Sequence, residues 1–260
     1  MRYTLLRNAT ALLEYGGKRL LIDPSLDPAG ARPAIANTLN QRPNPLVELP
    51  SIWKQSISDL DACLVTHLHQ DHFDATGARV IPTNTLMLAQ PEDVATLTER
   101  GFSLVMAVDP DAELRGISVR RTPASHGSGD IARAMAPVSG FVLRTNGEPV
   151  VYIAGDTIWY DDVERVIAQE QPDVIIVNAS GASFLQGGPI VMTAEDVAQV
   201  RRAAPMATIV VVHLEAINHC HETRAYYRQR LPELGVNLSA TLIPENGEAV
   251  EIANVGEASV

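Results

Sequence analysis

Residues 63–74 read CLVTHLHQDHFD. An apolar run ends in three histidines and two aspartates within eight positions, in a chain that has only seven histidines. In an extended segment, residues two apart face the same side. His67 and His69 can therefore grip one ion. Asp71 and His72 follow once the chain begins to turn and can aim at a neighbouring position. Both residue types are costly to leave unpaired at the end of a buried strand, and a metal offsets that cost. One histidine alone would read as loop polarity. H-x-H-x-D-H reads as part of a metal centre.

Further ligand types stand at other strand ends. Asp23 ends RLLIDP, His126 follows ISVRRTPAS, Asp156 ends VVYIAGD and His213 ends TIVVVH. Open sheets place ligands at the carboxyl ends of their strands. Each residue alone suits a turn or a cap, Asp23-Pro24 above all. The repeated placement favours one shared site.

The intervening sequence predicts the scaffold. YTLLR, TALLEY and RLLID read as strands, with Gly16-Gly17 as a hairpin turn. Residues 24 to 59 carry Pro24, Pro28, Pro33, Pro43, Pro45 and Pro50, which predicts an irregular segment packed down beside a pocket. ACLVTH and TLMLA read as strands and PEDVATLTERG as a helix. SGFVLRT and VVYIAGD form a hairpin about NGEP. YDDVERVIAQEQ, TAEDVAQVRRAA and ETRAYYRQRLPELG are helices that alternate with the buried strands DVIIVNAS and TIVVVH. The strands ATLIP and EAVEI close the chain around Asn246-Gly247. HGSGDIARAMAP reads as a loop or lid. Strand-rich hairpins followed by strand–helix units predict an α/β (α+β) chain of mixed sheets with outer helices, αββα or three-layered. No linker divides it, so residues 1–260 are expected to form a single domain.

Composition narrows the function. Lys and Arg number 20 against 31 Asp and Glu, a net charge of −11. That surface repels phosphate backbones, so no nucleic acid is expected as a partner. Two cysteines without a CxxC pair suggest a reduced, cytoplasmic protein. No signal-peptide pattern and no long apolar run are present, so no membrane association is expected. The expected partner is a small-molecule substrate, with a homo-oligomer left open.

The order Asp23, H-x-H-x-D-H at 67–72, His126, Asp156 and His213 resembles the metallo-β-lactamase-fold hydrolase superfamily. LIDP, VTHLHQDHFD, VYIAGDT and VVHLEAINH are most similar to its ascorbate-6-phosphate lactonase-like branch. The resemblance implies a four-layer αββα sandwich of two mixed β-sheets and a binuclear centre. His67, His69 and His126 would hold one metal ion and Asp71, His72 and His213 the second. Asp156 would bridge them, and Asp23 would orient ligands without binding the ions. The imidazole and carboxylate ligands suit Zn²⁺ by default, and also Mn²⁺ or Fe²⁺. His69 argues against the flavodiiron branch, which has glutamate at that position.

The implied chemistry is hydroxide formed on two divalent ions, attacking a lactone, ester or amide carbonyl. Asp71 is the candidate to accept and pass a proton. His219 could reach the pocket and donate a proton or hydrogen bond to substrate, whereas Cys220 and His221 read as structural or exposed. Trp159, Asn178 and Ser180 are candidate pocket residues, although Trp159 and Tyr160 also suit packing against the sheet. The alternatives are a phosphodiesterase acting on a small phosphodiester or sugar phosphate, with Arg32, Arg42 or Arg133 as its cations, and a metal-binding sensor without turnover.

Overall fold

The computed structural model describes residues 1–253. Three strands open the chain, β1 (Arg2–Arg7), β2 (Thr10–Tyr15) and β3 (Lys18–Ile22). After the proline-rich segment come α1 (Trp53–Ser56), β4 (Ala62–Val65), α2 (Ala75–Val80), β5 (Leu86–Ala89), α3 (Val94–Glu99) and β6 (Val105–Ala107). The second half runs through β7 (Asp111–Leu114), β8 (Ile117–Pro123), α4 (Gly129–Met135), β9 (Ser139–Arg144), β10 (Val151–Ile153), α5 (Asp161–Glu170) and β11 (Val174–Asn178). It ends with α6 (Ala194–Ala203), β12 (Thr208–Val212), α7 (Arg224–Glu233), β13 (Thr241–Leu242) and β14 (Ala249–Glu251).

These strands form two seven-stranded mixed sheets, ordered β14-β1-β2-β3-β4-β5-β6 and β13-β12-β11-β10-β9-β8-β7. Each sheet is antiparallel at one end and parallel at the other. Period-2 alternation sorts the side chains into layers. Leu20, Ile22 and Leu64 meet Val119, Phe141, Ile153 and Val210 between the sheets. Leu21, Cys63 and Val65 face outward onto Phe73, Leu97 and Phe102. On the other side, Tyr152, Ile175 and Val177 pack against Val163, Ile167, Val197 and Leu231 of the helices. The result is the αββα sandwich. Burial on both faces explains why ACLV and TIVVV are continuous apolar runs.

Three details depart from the pattern reading. HGSGDIARAMAP is not a loop throughout, because Gly129–Met135 is helical. None of its residues is fully buried, so no apolar stripe marks it. The proline-rich segment holds the one-turn helix α1 and a bridge between Arg32 and Asn44. Finally, β13 and β14 do not pair: β13 joins β12, whereas β14 joins β1 in the other sheet. The chain therefore crosses between sheets around Asn246-Gly247.

Strand direction gathers the site. β4 runs parallel to β3, β12 runs parallel to β10 through β11, and β8 is antiparallel to β9, itself antiparallel to β10. The carboxyl ends of β3 and β4 thus share one edge, as do those of β8, β10 and β12.

Candidate metal centre

His67 and His69 follow directly after β4. The chain then turns, with the His69 carbonyl accepting the N–H groups of His72 at 2.9 Å and Phe73 at 2.8 Å. That turn carries Asp71 and His72 to the neighbouring position. Asp23 and His213 adopt left-handed backbone, with φ of 44° and 68°. Such conformations cost non-glycine residues energy and cluster where function over-determines them.

The ligand-type side chains converge in two sets. His67, His69 and His126 form one, and Asp71, His72, Asp156 and His213 the other; within each set the candidate ligand atoms lie within 4.8 Å of one another. In the first, His67 Nε2 is 3.0 Å from His69 Nδ1. In the second, Asp71 Oδ2 is 3.3 Å from His213 Nε2. Asp156 stands between the sets. Its Oδ2 lies 3.3 Å from His126 Nε2 and 3.2 Å from His72 Nε2, and its Oδ1 lies 3.8 Å from His213 Nε2.

Partners behind the ligands aim them. His72 Nδ1 donates to Asp23 at 2.8 Å and His126 Nδ1 to the Ile190 carbonyl at 2.7 Å. His67 Nδ1 lies 3.1 Å from the Thr66 hydroxyl, and His213 Nδ1 lies 3.8 Å from Cys220 Sγ. Nε2 of each ring is left toward the centre, the arrangement typical of metal-ligating histidines. The Asn178 amide donates to Asp156 Oδ1 at 2.7 Å. Asn8 joins two ligand segments: its amide donates to the Asp71 carbonyl at 3.3 Å, and its own carbonyl accepts the His213 N–H at 3.0 Å. Pattern reading does not single out Asn8, Thr66 or the Ile190 carbonyl. A left-handed asparagine at a hairpin tip is the one local signal among them.

The residues fit divalent ions. His72 Nε2 is buried without a hydrogen-bond partner, although Asp156 Oδ2 is 3.2 Å away. The pair is close but not aligned, as expected where both atoms point at a third centre. Five imidazoles and two carboxylates, with no thiolate among them, are a borderline-to-hard ligand set. Electrostatics agree. Burial works against charge on His72, yet Asp156, Asp23 and Asp71 outweigh it and push its pKa up to about 10. His213 is raised in the same way, chiefly by Asp156 and Asp71 against burial. Burial also opposes ionisation of Asp71 and Asp156, but the neighbouring imidazoles hold both well below the usual carboxylate range. This buried carboxylate pair demands positive charge.

A cavity of about 290 Å³ opens over His69, Asp71 and His126. Pro33, Ile35, Met135, Phe184 and Ile217 give it apolar walls, and Arg32 and His219 border it. Arg32 is already engaged, 3.3 Å from Asp27 and 3.6 Å from Asp74. Arg42 and Arg133 are exposed and do not border the cavity. Trp159 does not line it either. With Tyr160 it packs against the core beneath the outer helices, because an aromatic after a strand end gains more from that apolar layer. Asn178 reaches the centre only through Asp156. Ser180 is fully buried and outside the lining. From that same loop it is Phe184 that meets the cavity.

Comparison with known proteins gives the family and the fold. The family described as the beta-lactamase superfamily domain matches residues 18–214. The UPF0173 protein YddR of Bacillus subtilis is 38% identical over 252 residues, 96% of this chain and 99% of that protein. The crystal structure of a possible metal-dependent hydrolase from Veillonella parvula superposes with a TM-score of 0.93 at 32% identity, covering 97% of this chain and 99% of the other. The isothiocyanate hydrolase from Delia radicum gut bacteria superposes with a TM-score of 0.92 at 32% identity, covering 98% and 100%. No helix among the described residues is long and apolar enough to cross a membrane.

Proposed function

The chain belongs to the beta-lactamase superfamily domain family and to the UPF0173 metal-dependent hydrolases, and from that premise we propose that it hydrolyses a small, uncharged carbon electrophile at a binuclear centre. His67, His69 and His126 would hold one ion, Asp71, His72 and His213 the other, and Asp156 both, in one domain spanning the chain. Zinc is the default metal, with manganese or iron(II) also suited to these ligands. Bound ions supply a water of lowered pKa and polarise the attacked atom. Asp71 borders the cavity and is the carboxylate positioned to accept that water's proton. The free, unpaired Cys63 and Cys220 suit a cytoplasmic setting.

The observation that carries the reading is the cavity's chemistry. Its walls are apolar, and its one arginine is neutralised by two aspartates. Beyond the ions themselves, the cavity offers no unpaired arginine or lysine to a phosphate group, so carbon chemistry is favoured over phosphoryl chemistry. The substrate class is then a lactone, ester or amide carbonyl, or an isothiocyanate carbon of the kind named for the solved relative.

The test is direct. The purified protein is assayed for metal content and then offered benzyl isothiocyanate, a γ-lactone, a phenyl ester, an anilide and bis(p-nitrophenyl) phosphate, with and without a chelator. Chelator-sensitive turnover of a neutral substrate is expected. Turnover confined to the phosphodiester, or persisting after complete metal removal, overturns the reading. Two bound ions without turnover would favour a sensor.

A further inference from the structure

Buried polar groups are nearly always hydrogen-bonded, because an unpaired one forfeits its hydration. His219 breaks that rule. It is 5% exposed, its Nδ1 is sealed from solvent without a partner, and its ring borders the cavity. It belongs to neither metal-ligating set.

The surrounding segment is held firmly. Asn218 donates to Thr38 Oγ1 at 2.7 Å and to the Asn40 carbonyl at 2.6 Å, and accepts from the Asn44 amide at 2.6 Å. The His219 carbonyl accepts the Ser183 N–H at 3.2 Å. Phe184 flanks the imidazole, with ring centroids 6.4 Å apart. The fold thus fixes this ring against the cavity wall and supplies no partner for it. Among the described residues neither ring nitrogen hydrogen-bonds to the protein; Nδ1 is sealed from solvent and Nε2 is not, so Nε2 is the atom that a ligand in the cavity can reach.

We propose that His219 is the substrate's hydrogen-bond partner, binding a neutral heteroatom acceptor next to a compact apolar substituent. This rests on the hydrolase reading above. An orphaned lone pair is better tolerated than an orphaned N–H, so the partnerless Nδ1 carries the lone pair and Nε2 the proton. Nε2–H is then the donor left to meet a ligand. Burial pushes the imidazole pKa down to about 4, so the donor is uncharged near neutrality. An uncharged donor beside Ile35, Met135 and Ile217 suits a carbonyl, thiocarbonyl or imine-type atom bearing an aryl or alkyl group. His219 therefore sets specificity without holding the metal.

The experiment compares wild type, His219→Ala and His219→Gln, as purified with their metals. The probes are N-benzylacetamide, which offers an acceptor, and butylbenzene, which offers none. Dissociation constants come from ligand-observed NMR, with metal content measured in parallel. His219→Ala should weaken the amide roughly 3- to 10-fold, leave butylbenzene unchanged and keep the wild-type metal content. His219→Gln places an N–H near the Nε2 position and should recover amide binding. Equal weakening of both probes, loss of metal, unchanged amide binding, or no amide binding by wild type would each overturn the proposal. Amide binding with this pattern, but no turnover of any substrate, would overturn the hydrolase reading and leave the His219 contact standing.

Discussion

His72 Nδ1 lies 2.8 Å from Asp23 Oδ2, a contact between residues 49 positions apart. Thr66 completes the arrangement by donating its N–H to Asp23 Oδ1 and its hydroxyl to Oδ2, each at 2.7 Å. The carboxylate thereby holds the proton on Nδ1 and leaves Nε2 free as a ligand.

Asp23→Asn should reverse that tautomer. The Thr66 N–H fixes the amide oxygen at the Oδ1 position, so the NH₂ faces His72 and drives its proton to Nε2. The expected result is a 10- to 100-fold loss of affinity, on the order seen for partners of metal ligands, confined to the ion held by His72. Competition titration with a chromophoric chelator resolves the two ions. Undiminished affinity for both would contradict this account of Asp23.

Asn8 links Asp71 to His213 through left-handed backbone, with φ of 59°. Asn8→Gly keeps that conformation and the carbonyl that accepts the His213 N–H, and removes only the amide contact to Asp71. Affinity for the same ion should fall about 2- to 10-fold, one hydrogen bond's worth, with little change in Tm. Asn8→Val should cost far more stability, because a β-branched residue is strained at positive φ. If thermal unfolding does not separate the two variants, the backbone argument is wrong.

Metal affinity should fall with falling pH. His72 is raised to about 10, so its imidazolium predominates between pH 6 and 8 and an entering ion must displace that proton; His213 is raised in the same direction. Affinity should drop about tenfold per pH unit for each proton displaced. Titrations at pH 6, 7 and 8 measure the slope, and a flat profile would refute the coupling.

Gly155 precedes Asp156 with φ of +69°, and a Cβ there would sit 2.5 Å from the Ser139 carbonyl oxygen. Gly155→Ala combines strain with a backbone clash and should destabilise by about 2–4 kcal/mol. Gly147 has φ of +78° and open space around it. Gly147→Ala should cost only about 1 kcal/mol, the conformational part. Chemical denaturation of the pair separates strain from clash, and equal losses would remove the clash from the explanation.

The sequence by itself determined the layers and the ligand types. Strands buried on both faces must be apolar at every position, and helices over a sheet must be amphipathic, so local pattern marks both. H-x-H-x-D-H is legible because imidazole and carboxylate crowded at a strand end have few uses but metal. Short elements such as β6 and β7, of three and four residues, span too little chain for a period to register, and α4 buries no face that would reveal it. Only the tertiary structure decided how the ligands are aimed. Asn8 meets Asp71 across 63 residues and His126 meets the Ile190 carbonyl across 64. A backbone carbonyl is the same group in every residue, so no sequence signal announces which one will be used. The same holds for the cavity: Phe184 lines it and Trp159 does not, because the sheets and the segments tied to Asn218 settle which apolar side chain finds a core and which is left facing the centre.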